Sequence, residues 1–456
     1  MKRKMIAALL GTAMVLSIVG CHKPETLYQI DPNSAYAQGG SEPIENPGDY
    51  VPESLTEGLE ENKVEGLAPS VEEANQLSQA AFNLMSEVDP NGDGNLCISP
   101  YSIDSAVGMA ELGADGDTLS QMEECVNGGV SSQRMNEIMK YLWTETIESS
   151  CDWNVSNSLW IKDDGEVTFN NNYLMDVKGY YSAPVYARPF DETTIDEVNS
   201  WVNVSTNNMI PKMIDEIPED ARAFLINAIA FESEWEEQYE ENDILENREF
   251  HNQDGTTTNT TMLYSKENSY FNYGDGIAFA RPYKGGEYYF VGILPNEADP
   301  SLEDAEGDSI ARYLMSITQD EEGFAEAFLN REYSDEVFVQ MPEFEMDYDA
   351  ALKETYQEMG MDIPFDQNLA DFNKMFDTTT PRYFWIGEII HKTHIEVNRE
   401  GTKAAAATLV EMRDVAAVAM PVEDPIHITL DRPFLYAVVD SETGTPMFAG
   451  YVNNLK

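Results

Sequence analysis

The run Glu400-Gly401-Thr402-Lys403-Ala404-Ala405-Ala406-Ala407-Thr408 is small-sided and nearly featureless. Taken alone it would be an alanine-rich helix, since alanine is the best helix former. Its surroundings argue otherwise. The run is short, and β-rich segments flank it: His391 to Val397 before it, and His427 to Leu430 and Leu435 to Asp440 after it. Small side chains suit a strand that must enter between two strands already in place. The glycine in front supplies a hinge that a larger residue would resist. With a period of two, Thr402, Ala404, Ala406 and Thr408 share one face and Lys403, Ala405 and Ala407 the other, so Lys403 can lie outward.

The rest of the 456-residue chain gives this segment a large body to act on. At 42% apolar and 11% aromatic, the sequence can build an extensive core. Lys and Arg number 27 against 83 Asp and Glu, a formal charge of −56. Phosphate recognition needs clustered cations, so nucleic acid is excluded as a partner. An acidic surface instead steers cationic proteins toward it.

Lys2, Arg3 and Lys4 precede an uncharged run from Met5 to Gly20, which is short for a membrane span and reads as a signal segment. It ends Ile18-Val19-Gly20-Cys21, which resembles the lipobox of bacterial lipoproteins. The resemblance implies cleavage after residue 20 and lipidation of Cys21, hence a membrane anchor facing the cell exterior. The alternative is an ordinary cleaved signal with a chance cysteine. Removing residues 1–20 takes away three cations and no acid, which makes the remainder more negative still. Residues 21–70 are expected to form a flexible acidic stalk, punctuated by Pro24, Pro32, Pro43, Pro47, Pro52 and Pro69.

Cys97, Cys125 and Cys151 are too few for a disulfide scaffold and stand in no CxxC spacing, so buried thiols are expected, with one local disulfide as the alternative. No HExxH, GxSxG or Walker pattern occurs. His391 and His394 are three apart in a strand and point to opposite faces, so no shared metal is expected there. Asp89 to Asn95 begins like a calcium loop, but its twelfth position is Pro100, where a bidentate glutamate is needed. No metal, cofactor or nucleophile–base set is expected, and the chain does not read as an enzyme.

Ser70-Val71-Glu72-Glu73 is a capping-box pattern that opens a helix whose Leu77, Ala81, Leu84 and Val88 face inward. Further strands are expected at Val155 to Ile161, Ala223 to Phe231, Tyr288 to Leu294, Glu336 to Met341 and Met447 to Val452. No repeat and no linker divides residues 71–456. The expected fold class is α+β: one large domain around an extensive β-sheet.

Motifs in order along residues 70–456 resemble the serpins, the serine-protease-inhibitor family. Glu400 to Thr408 is similar to their proximal hinge, and Asp431-Arg432-Pro433-Phe434-Leu435-Tyr436 to the strand after their reactive loop. Ser99-Pro100-Tyr101-Ser102-Ile103, Gly113-Ala114-Asp115-Gly116, Asn227-Ala228-Ile229-Ala230-Phe231-Glu232-Ser233-Glu234-Trp235, Pro282-Tyr283-Lys284-Gly285, Ile293-Leu294-Pro295, Met341-Pro342-Glu343-Phe344, Ala370-Asp371-Phe372 and Phe448-Ala449-Gly450-Tyr451-Val452 continue the series. The resemblance implies a dominant mixed sheet, further sheets, surrounding helices and an exposed reactive loop at about 401–430.

It also implies a function: suicide inhibition of extracellular serine proteases, and of some cysteine proteases, by a monomer whose cleaved loop inserts into the main sheet. The alternative is a non-inhibitory binding lipoprotein of the same fold. Ser99, Ser102, Asn227 and His391 match polar residues beneath the sheet opening, and Trp235 an aromatic at its top. Counting from Gly401 at the family's spacing puts the bait bond at Val415–Ala416, which suits an elastase-like pocket, with Arg413, Val418 and Met420 as alternatives. Two departures are charge-reversed: Arg399 stands where many members carry an acid, and Glu343 where many carry a lysine. These two residues are expected to pair where the loop leaves the sheet.

Overall fold

The computed structural model describes residues 51–90, 92, 94–163, 168–206, 210–218, 221–296, 309–318, 323–377, 384–402 and 425–455. Among the described residues, the first helix starts where the capping box placed it. Ser70 Oγ accepts the Glu73 N–H, and the Glu73 carboxylate accepts the Ser70 N–H at 2.7 Å. Two of the helix's orphan donors are thereby satisfied.

In chain order the elements are α1 (Val71–Val88), β1 (Leu96–Ile98), α2 (Pro100–Glu111), α3 (Gly116–Cys125), α4 (Ser132–Glu148), β2 (Asp152–Lys162), α5 (Asn171–Tyr181), β3 (Val185–Arg188) and α6 (Glu192–Ser205). There follow β4 (Ala223–Glu234), β5 (Ile244–His251), β6 (Thr257–Asn272), β7 (Gly276–Pro282), β8 (Tyr288–Pro295), α7 (Ser309–Ile317), α8 (Phe324–Leu329), β9 (Glu332–Pro342), β10 (Phe344–Ala351) and α9 (Lys353–Glu358). The chain closes with β11 (Glu388–Val397), β12 (Gly401–Thr402), β13 (Ile426–Thr429), β14 (Phe434–Asp440) and β15 (Pro446–Val452).

Two sheets organise these strands. One has the order β1-β15-β14-β8-β7-β6-β9-β13, with β5 paired to β6. The other has the order β10-β11-β12-β4-β2-β3 and is mixed: β11 and β4 run parallel, while β10–β11 and β4–β2 are antiparallel. A large apolar core joins the sheets, with Leu225, Phe231, Ile389, Ile395, Tyr436 and Phe448 among its buried side chains. A smaller core on the other face of the mixed sheet packs Val198, Trp201 and Val202 of α6 over Trp160, Ile226 and Ala228. Alternation along β11 decides which side chains belong to which face: Ile389, His391, Thr393, Ile395 and Val397 are buried and the residues between them half-buried.

The expected strands are all present, several of them longer than expected. Most of the strands not anticipated are polar or short; the apolar β7 is the exception. β6 carries Thr, Ser and Asn on a largely solvated face, so its alternation is weak in the sequence.

One boundary needs correction. The stalk was expected to run to residue 70, but residues 51–69 are tied to the body. Leu55 N–H donates to Val185 O (2.7 Å), Lys178 Nζ to Leu59 O (2.6 Å), Asn62 Nδ2 to Asp176 Oδ1 (2.6 Å) and Leu67 N–H to Glu137 O (3.0 Å). Arg134 of α4 donates to Leu67 O and Ala68 O while bridging Glu73 at 2.7 Å. The segment forms neither helix nor strand, and Pro52 and Pro69 stand near its two ends. A segment without regular structure can still be held in place when its backbone groups bond to neighbouring elements rather than to itself. Residues 1–50, with Cys21 and the signal segment, lie outside the described residues, as does the loop from 403 to 424.

Candidate functional site

The site is the line along which β11 and β4 meet. They pair directly from Glu388–Phe224 to His394–Ala230. Three residues further on, another strand stands between them: Thr402 pairs with Val397 on one side and Ser233 on the other. Gly401 and Thr402 thus occupy the first two places of a strand antiparallel to both neighbours. Between that row and the last direct pair lie Ile395 and Glu396 on β11 and Phe231 and Glu232 on β4. The next chain residues are Lys403 and the alanine run, which lie outside the described residues.

Close packing fixes the entrance. A Cβ at Gly401 would sit 1.9 Å from the Ser233 carbonyl oxygen, so only glycine permits this approach of two backbones. Thr402 is buried, and its hydroxyl meets the Tyr283 hydroxyl at 2.6 Å. Tyr283 stacks on Trp235, with ring centroids 4.7 Å apart and planes 10° apart. The indole Nε1–H of Trp235 donates to Asn398 O (2.9 Å) and its backbone N–H to Glu400 O (3.1 Å). Asn398 shapes the turn into the hinge: its N–H donates to Gly401 O, while its Oδ1 accepts the N–H groups of Glu400 and Gly401. Trp235 therefore lies beside the entering hinge and bonds to the backbone on the way into it.

The Glu343–Arg399 pair is present and bidentate. Arg399 Nε reaches Glu343 Oε1 and Nη2 reaches Oε2, both at 2.9 Å, and the Arg399 backbone N–H adds a third bond at 3.1 Å. The pair ties the turn after β11 to the residue joining β9 and β10. The guanidinium is raised above its usual pKa, chiefly by this hydrogen bond.

Beneath the meeting line runs a chain of buried polar groups. Asn227 Nδ2 donates to Asn157 Oδ1 (2.7 Å). His391 Nδ1 lies 2.8 Å from Asn227 Oδ1, and Ser99 N–H donates to His391 Nε2 at 3.1 Å. An Nε2 that accepts leaves the proton on Nδ1, which then donates to Asn227. The ring is neutral because burial pushes its pKa down to about 3. Ser99 Oγ continues the chain to Met447 O (2.6 Å) and also caps α2 by accepting the Ser102 N–H. Ser102 contributes only that backbone group; its own hydroxyl is buried and has no partner among the described residues. Asn157, Tyr283 and Asn398 were not assigned by sequence. Asn157, a lone amide inside the run Val155 to Ile161, was the most legible of the three.

Asn227 and His391 are register partners on the two strands that must part. A strand inserted between them would add one more interstrand spacing of about 4.8 Å. The 2.8 Å bond could not survive that. The network therefore locks the closed sheet and must change partners if it opens. Of the residues expected to form the hinge and bait, Glu400, Gly401 and Thr402 lie where the chain enters the sheet. Ala404, Ala405, Ala406, Ala407 and Thr408 lie outside the described residues, as do Arg413, Val415, Ala416, Val418 and Met420.

Residues 75–455 match the model of the family described as Serpin (serine protease inhibitor). The chain belongs to the serpin family. An uncharacterized serpin-like protein of Methanosarcina acetivorans is 30% identical, over 82% of this chain and 84% of that protein. Leukocyte elastase inhibitor A of Mus musculus is 29% identical, over 81% of this chain and 95% of that one. The crystal structure of tengpin, a thermophilic serpin, in its native state matches with a TM-score of 0.77 at 29% identity, covering 89% of this chain and all of that one. The same protein in its latent state gives 0.68. Serpins are generally protease inhibitors rather than catalysts, and the mixed sheet described above is the serpin main sheet.

Proposed function

We propose that this protein is a suicide inhibitor of extracellular serine proteases, presented from a membrane by a lipid anchor at Cys21, and that its targets are elastase-like. The observation that carries the reading is the position of Gly401–Thr402. The hinge already occupies the first rungs between β11 and β4, pairs antiparallel with both, and is followed by residues small enough to continue.

The mechanism follows from that geometry. A protease serine Oγ attacks the carbonyl carbon of the bait residue, Val415. The bond to the Ala416 nitrogen breaks and its new amino terminus is released, leaving Val415 as an ester on the protease. The freed segment from Lys403 onward then continues β12 downward between β4 and β11. One parallel ladder is exchanged for two antiparallel ones, which are slightly more stable per residue. Each added hydrogen bond contributes about 1 kcal/mol net. Ordering the backbone costs roughly 1–2 kcal/mol per residue. Hydrogen bonds alone therefore hardly drive insertion. The remainder comes from relieving a native arrangement in which contacts such as the Asn227–His391 bond hold together two strands that pack better with a third between them. The ester is carried along with the loop and hydrolysis is outrun.

The elastase-like choice rests on the small aliphatic bait and on the name of the mouse relative. The strongly negative charge, −56 for the whole sequence and more negative without residues 1–20, would speed encounter with cationic proteases at low salt. Incubation with elastase, trypsin and subtilisin tests the reading. An SDS-stable complex with elastase, releasing a peptide that starts at Ala416, supports it. Cleavage without a complex points to a non-inhibitory binding role, and a complex with trypsin alone moves the bait to Arg413.

A further inference from the structure

The outer face of the main sheet carries a second constellation that plays no part in the hinge. Antiparallel register sets Glu345 of β10 opposite Glu396 of β11, and Asp347 opposite His394. Alternation places all four on the face opposite His391. Metal-binding atoms of Glu345, His394 and Glu396 lie within 4.8 Å of one another. His394 Nδ1 is held 2.7 Å from Asp347 Oδ1, while Nε2 is buried and has no hydrogen-bond partner among the described residues. The side chain is only 12% exposed. One ring nitrogen is thus committed to a carboxylate and the other is idle, the arrangement found where an imidazole ligates a metal and an outer carboxylate fixes its tautomer. Glu396 is oriented too: its Oε1 accepts from Asn398 Nδ2 at 3.0 Å.

We propose that Glu345, His394 and Glu396 form a site for a divalent transition metal of the zinc class, with Asp347 positioning the histidine. An imidazole nitrogen with two carboxylates suits zinc and disfavours calcium and magnesium, which take oxygen donors. Three protein ligands leave a fourth position for water. The sequence alone could not show the site, because two of its carboxylates come from a strand more than forty residues away. Through Asn398, whose Oδ1 holds the Glu400 and Gly401 N–H groups, the metal would lie two hydrogen bonds from the hinge. Both ligand strands lie on the same side of the line where the loop enters, so binding neither requires insertion nor is abolished by it. The site stands whether or not the protein is an inhibitor.

The acidic surface attracts any cation, so the experiment must separate a site from an atmosphere. The full chain, stripped with EDTA, is titrated with Zn²⁺ against a chromophoric chelator in excess Mg²⁺. One equivalent is expected to bind. Affinity should fall at least about tenfold in His394→Gln and Glu396→Gln, and about 10–100-fold in Asp347→Asn. Melting curves in EDTA verify that each variant is folded. Glu396→Gln is the milder change and reports on the site if His394→Gln disturbs the sheet. No saturable equivalent in excess Mg²⁺, or one that persists undiminished in the folded variants, would overturn the assignment.

Discussion

Tyr283 and Thr402 meet through their hydroxyls at 2.6 Å, both buried, 119 positions apart in sequence. The contact secures the second residue of the hinge under the Trp235–Tyr283 stack, and it makes position 402 intolerant of size or charge. Thr402→Arg should therefore stall the hinge at its first rungs. Burying an unpaired guanidinium is far costlier than losing one hydrogen bond. On gels with the target protease, the variant is expected to give cleaved inhibitor and little SDS-stable complex. Unchanged complex yield would show that Thr402 does not have to enter the sheet.

Removing only the Tyr283 hydroxyl is a milder test. Tyr283→Phe leaves the stack and deprives Thr402 of its partner, which costs roughly 1–3 kcal/mol if the threonine stays unsatisfied. The native melting temperature should fall, while the loop-cleaved form should fall less if insertion gives Thr402 new neighbours. Equal losses in both forms would place the contact in the general core instead.

Glu343 and Arg399 make a bidentate pair reinforced by a backbone N–H. Arg399 is 46% exposed, so the pair itself contributes only about 0–1 kcal/mol. Its role is to hold the turn that leads into the hinge. Glu343→Lys should loosen that turn and raise the rate of polymer formation on warming, read on native gels. The double swap Glu343→Lys with Arg399→Glu should restore most of the lost resistance. A double swap as prone to polymerise as the single variant would remove the pair from the account.

His391 gives a pH dependence with a definite sign. Its folded pKa, pushed down to about 3 by burial, lies below the unfolded value of about 6.5. Its stabilising contribution is complete above pH 6.5 and declines as the pH falls from there toward 3. Native stability should drop on acidification through this window, by up to about 1.4 kcal/mol per pH unit from this residue. His391→Gln, which cannot charge, should flatten that part of the curve in thermal melts from pH 8 to 5. An identical slope in both proteins would show that other groups set the acid response.

Much of this was legible beforehand, for identifiable reasons. The Ser70–Glu73 box is local and fixed the first helix. Short runs rich in β-branched and aromatic residues marked β2, β4, β8 and β14. The opposed charges at Glu343 and Arg399 were legible because each departed from a pattern in a compensating way. The partner of Thr402 was not, since Tyr283 arrives from a distant hairpin and nothing local marks its hydroxyl as buried. The docked segment 51–69 was missed because its stabilising bonds are made to α4, α5 and β3 rather than within itself. Deleting residues 1–69 should accordingly lower the melting temperature relative to deleting 1–50, since Arg134, Lys178 and Val185 then lose the bonds they make to that segment. Equal melting points would mean that the segment contributes nothing.

The most direct test of the trap is the melting temperature of the protein before and after a single nick between Thr408 and Asp431. The account predicts that the nicked chain, with its loop taken up between β4 and β11, melts well above the intact one. Two forms that melt together would contradict it.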